Sequence, residues 1–138
     1  MAVTPNSIVT PQTPQSAYVI YGTAQATYPP TTNPTNTQLL LTAGANGARV
    51  TRFYAMPHES TGAAGVVQYF RSNDSGVTKY WSGSALSTND TVSSTDPPVI
   101  LDFGFSDSNP MILKANERIY VAPSISKNFI FVIEWADY

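Results

Sequence analysis

The sequence predicts an all-β fold, an antiparallel β-sandwich or jelly-roll-like barrel with an extended N-terminal arm. Three observations carry this. Runs rich in Val, Ile, Tyr, Phe and Thr alternate with clusters of Gly, Asn, Asp, Ser and Pro along the whole chain. No run shows the three-and-four-residue apolar spacing of an amphipathic helix. Prolines 97, 98, 110 and 123 fall at the ends of strand-like runs, where a missing N–H disturbs a ladder least.

Residues 1–16 contain Pro5, Pro11 and Pro14 among Thr, Gln, Ser and Asn. Fixed φ and absent donors predict an extended arm with little sheet. Ile8, Val9 and Pro11 are its candidate contacts with a neighbouring molecule. Residues 17–138 are expected to form a single sandwich domain. Its first run, AYVIYGTAQATY, reads as one strand weakened at Gly22, and PPTTNPTN as a surface loop. TQLLLTA and ARVTRFYAM follow, then AGVVQYFRS and VTKYWSG around NDSG. The polar stretch SALSTNDTVSSTDPP holds one turn of helix at most. VILDFGF, PMIL, RIYVAPS and NFIFVIEWA complete about nine strands.

The segment LLLTAGANGARVTRFY, residues 39–54, raises the question of a phosphate-binding glycine loop. Such a loop works by opening a helix, whose free amides face the anion. Here a strand-like run follows Gly47, and the lysine of a Walker-type loop is missing. Asn46-Gly47 is instead the preferred pair for a tight hairpin turn, and Gly44 gives the strand a place to bend. SNDSGV, residues 72–77, repeats the logic between two aromatic strands.

Composition narrows the function. The chain has 138 residues, of which 42% are hydrophobic, enough for a core. Only 12% are charged and the net charge is −2, so the basic footprint of a nucleic-acid binder is absent. There is no cysteine and one histidine, His58, which leaves no thiolate or His-based metal site and no cofactor motif. The N-terminus lacks the pattern of a secretory signal, and no apolar run is long enough for a membrane helix. Asp102 and Glu134 lie in strand-like segments and are the candidate acid–base pair of a glycosidase. The reading preferred over that pair is that each closes a strand end or pairs with an arginine such as Arg52 or Arg118. The tripeptide within DFGFSDSN matches the kinase motif by chance in so short a chain, and its acidic spacing is not that of a calcium loop. An enzyme is not expected.

Two runs point to assembly. FIFVI is apolar at five successive positions, so both faces of that strand call for burial. Leu39-Leu40-Leu41 poses the same problem. Either these are central strands covered on both sides or one face meets another subunit, which makes Leu40, Ile130 and Val132 candidate oligomer or core positions. Tyr80 and Trp81 are the candidate stacking residues if the sandwich binds glycans.

Taken together, LTAGANGARVTRF, QYFRSNDSGVTKYW, DFGFSDSNPMILKANERIYVAPS and the closing FIFVIEW resemble the small β-sandwich virion proteins of tailed bacteriophages, in particular capsid decoration or cement proteins. The shared pattern is an arginine strand, an F-R-S-x-D-x-G hairpin and P-x-x-L-x-A-G-E-x-x-Y-V. This chain has Asn116 where the pattern has glycine, and asparagine is the next best residue for a left-handed position. The resemblance covers residues 37–138. It implies a structural protein made in the host cytoplasm and carried on the capsid exterior. Its partners would be the major capsid protein and copies of itself, as a homotrimer. A head–tail connector, tail or fibre-attachment protein, or a carbohydrate-binding module, is the alternative.

Overall fold

A computed structural model describes residues 10–11, 13–26, 30 and 33–138. Nine strands are present among these: β1 (Thr13–Tyr21), β2 (Gln38–Thr42), β3 (Ala48–Pro57), β4 (Gly65–Ser72), β5 (Tyr80–Ser87), β6 (Leu101–Asp102), β7 (Met111–Leu113), β8 (Arg118–Pro123) and β9 (Phe129–Asp137). They form two antiparallel sheets. The first has the order β1-β9-β3-β6, with β7 also pairing β3; the second has the order β2-β8-β4-β5. The chain crosses repeatedly between sheets, and the resulting order is that of a jelly roll. No helix occurs among the described residues.

Alternation explains the core. On β3, Val50, Phe53 and Ala55 point inward, and on β9 Phe129, Phe131 and Ile133 do so, all fully buried. Leu41, Val67, Tyr69, Ile119 and Val121 answer them from the second sheet. Phe53, Tyr69 and Phe103 pack together with ring centroids 4.4–5.2 Å apart, joining the two layers. Two inward residues whose spacing breaks the period of two need a bulge between them. The ladder shifts between Val50 and Arg52, and again between Leu39 and Leu41, which lets Leu40 and Leu41 both face the core.

Several boundaries differ from expectation. β1 begins at Thr13, inside the expected arm, and pairs with β9 from Thr13↔Asp137 onward. Pro14 is tolerated because β1 is an edge strand. The run after Tyr18 leaves the sheet at Tyr21, before Gly22, instead of continuing to Tyr28. The helical turn allowed for residues 84–98 does not form: β5 runs on to Ser87, since alternating Ala85 and Ser87 turn inward. VILDFGF contributes only a two-residue strand.

The Gly44–Gly47 segment is a turn, closed by the Gly47 amide donating to the Gly44 carbonyl at 3.0 Å. It is not a hairpin. β2 and β3 belong to different sheets, and only Gly47 has positive φ, at 92°. The second glycine turn does join neighbours, β4 and β5, with Ser75 and Gly76 at φ 61° and 88°.

The two sheets differ on their outer faces. The second is covered by its own chain over its central strands, β8 and β4. Gln68, Phe70, Tyr120 and Ala122 on its outer side are all buried, and Tyr21, where the chain leaves β1 to cross to β2, packs against the last three. Gln25 fastens this crossing by donating to Pro123 O at 2.8 Å and accepting from Gln68 Nε2 at 3.3 Å. Asn33 fastens it again, through the Lys79 amide and the Val77 carbonyl. The outer face of the first sheet has no such cover among the described residues.

Candidate functional site

The residues behind the phage resemblance converge at one end of the sandwich. Arg71, from the F-R-S hairpin, pairs side-on with Glu117, from the A-N-E turn, through Nε–Oε1 at 2.7 Å and Nη2–Oε2 at 3.1 Å. The same guanidinium donates to Ile112 O at 2.9 Å, so one side chain joins a strand of the second sheet to one of the first. Glu117 Oε2 also accepts the Lys114 amide at 2.7 Å. Burial alone would push the Glu117 carboxyl upward, but the Arg71 and Lys114 hydrogen bonds, with the charge of Arg71, together hold it below its ordinary value.

Turn chemistry supports this pair. Asp74 Oδ1 accepts from the Thr78 amide and the Ser72 hydroxyl, each at 2.8 Å, and those bonds lower its pKa. Ser72 Oγ in turn accepts the Gly76 amide at 2.9 Å. Gly76 lies against the Tyr120 hydroxyl so closely that a Cβ would collide with it. Lys79 Nζ sits 4.9 Å from the Tyr120 ring centre, and Arg118 donates to Ser75 O at 3.1 Å. Asn116 holds φ 58°, the left-handed conformation expected of it. The sequence pointed to these residues as a signature without showing what they do. They form a staple that locks the β4–β5 hairpin to the β7–β8 turn.

The candidate acid–base pair is not assembled. Asp102 and Glu134 lie on strands either side of β3, opposite Tyr54 and Arg52 respectively. Asp102 Oδ1 accepts the Gly104 amide at 2.7 Å, closing its strand end. Arg118 is engaged by Ser75, and Arg52 lies over the Tyr54 ring at 4.6 Å. Arg71–Glu117 is the single ion pair among the described residues. His58 lies in an exposed loop, its amide bonded to Asn128 O. No group of three or more His, Asp or Glu residues gathers at metal-binding distance among the described residues.

The doubly apolar runs separate into two cases. Leu40 belongs to the core, whereas Ile130 and Val132 point out of the first sheet, half-exposed. Around them on the same face stand Tyr18 and Ile20 of β1, 76% and 49% exposed, and the half-exposed Tyr54 and Met56 of β3. The strands with both faces covered by the chain itself are β4 and β8. Tyr80 and Trp81 are exposed on β5, but as successive strand residues they face opposite sides, so one flat ligand cannot stack on both. Ile8 and Val9 lie outside the described residues. Pro11 lines a cleft of about 730 Å³ at the start of β1, with Arg49, Thr51, Asp107 and Glu134.

No family model matches this chain, and no curated protein matches it. Among solved structures it is similar to the Eiger TNF from S. frugiperda, with TM-score 0.51 over 94% of this chain and 96% of that one, at 13% sequence identity. At that identity the likeness is one of fold. The chain is an all-β jelly-roll sandwich.

Proposed function

We propose that this chain is a non-enzymatic virion protein of a tailed bacteriophage, a decoration protein that bridges capsomers on the outside of the mature head. The observation that carries the reading is the staple. The charged and glycine positions that resemble the decoration-protein pattern hold a hairpin, a turn and two sheets in fixed relation, which serves a molecule that must be rigid. Binding would then come from many weak contacts repeated by symmetry, strengthened because linked copies act at high effective concentration. The partners are the major capsid protein and copies of this chain. The segment before β1, with Ile8 and Val9 as anchors, would strap a neighbour.

The test is co-sedimentation with purified heads lacking this chain, followed by quantification against the shell protein. Saturable binding in a simple whole-number ratio to the shell protein supports decoration. Binding at one vertex only moves the protein to the neck or tail, and no binding rejects the virion reading. Deleting residues 1–12, which leaves β1 whole, should weaken the binding; unchanged binding removes the strap.

A further inference from the structure

We infer that the outer face of the first sheet is where copies of this chain hold one another. This specifies the self-contact that the proposed function needs, but the argument uses this chain alone. A sheet presents one face to its own core and must satisfy the other with water, chain or partner. The second sheet uses its own chain, with Tyr21 packed against Phe70, Tyr120 and Ala122 and Gln25 bonded to Gln68 and Pro123. The first sheet leaves Tyr18, Ile20, Ile130 and Val132 adjacent, through the register Tyr18↔Val132 and Ile20↔Ile130. Tyr54 and Met56 continue the patch opposite Val132 and Ile130. Contiguous apolar surface of this kind marks an interaction site.

Charge identifies the occupant. Arg52 and Glu134 are direct cross-strand neighbours at the end of the patch, yet they form no ion pair. The face carries both signs, Arg49 and Arg52 against Asp102 and Glu134, so a copy turned by a symmetry axis brings Glu134 to Arg52. An acidic or a basic partner would match only one of the two signs. Size agrees with a closed ring. Strands of nine, nine and ten residues give a face roughly 30 Å long and about 15 Å wide, on the order of 500 Å². That is below the roughly 800 Å² per partner of a stable pair. In a ring the strand edges add to the contact, and a trimer is the smallest ring.

The test is the mass of the purified full chain by light scattering across a dilution series. The unmodified chain should run as a multiple of its protomer mass. Tyr18→Arg, a change at an already exposed position, should weaken self-association roughly 30-fold or more, as expected for a central interface residue. Val132→Lys should do the same. Circular dichroism of both variants should match the parent, and Leu86→Arg, on the other sheet, should leave the assembly intact. A protomer at every concentration overturns the inference, as does an assembly that both substitutions leave unchanged. If the parent is a protomer and Tyr18→Arg lowers its melting temperature, the face is covered by the chain's own N-terminal residues, and the inference again fails. Failure of shell binding with an intact oligomer would reject the virion role and leave this face standing.

Discussion

Glu117 is nearly buried, and it stays charged because three hydrogen bonds from Arg71 and Lys114 replace the water it lost. Its folded-state pKa is held below the ordinary value, so its contribution is complete above the unfolded-state pKa and is lost as pH falls through the folded one. Glu117→Gln should therefore cost about 2 kcal/mol near neutral pH. The gap from the parent should close as the pH drops below the ordinary glutamate range. Urea titrations at several pH values would show this, and a gap constant with pH would mean that the charge contributes nothing. Gly76 tests the other half of the staple. An added methyl faces both a positive φ and the Tyr120 hydroxyl. Gly76→Ala should cost about 2–3 kcal/mol by the same titration. A loss below 0.5 kcal/mol, the usual range of a neutral surface change, would show that the contact yields easily.

β9 shows how one strand can serve two environments. Its Phe129, Phe131 and Ile133 fill the core, while Ile130 and Val132 meet the outside, because a period of two sends neighbours to opposite faces. Phe131→Ala should destabilise the protomer by about 3–5 kcal/mol through the cavity it leaves. Ile130→Thr, measured where the protein is fully dissociated, should cost less than about 1 kcal/mol. Chemical denaturation in dilute solution separates the two; equal costs would mean that the outer face is packed within the protomer. The bulges matter at this scale too. Without the shift at Leu40, either Leu40 or Leu41 would leave the core, since a one-residue slip reverses every side chain beyond it.

Across the whole molecule, the described part of the crossing between β1 and β2 is fastened to the second sheet, and the outer face of the first has no such cover among the described residues. Much of this could be read directly from the residues. Turn residues placed the nine strands, and Asn116 marked a left-handed position. The run FIFVI announced a face in need of cover. Other features were out of reach. A period of two tells which residues share a face but not which strand lies beside them, so the jelly-roll order was settled only by pairing between distant segments. The same holds for the staple, since Arg71 and Glu117 lie 46 positions apart and meet only because β4 pairs with β8. It holds also for the unequal faces. LLL, YVIY and FIFVI are similarly apolar, and only the path of the chain between sheets decided which became core and which stayed open. Local chemistry determined the strands and turns because φ, ψ and side-chain direction are set by near neighbours. The tertiary structure decided the partners because burial and charge pairing depend on what the fold brings alongside.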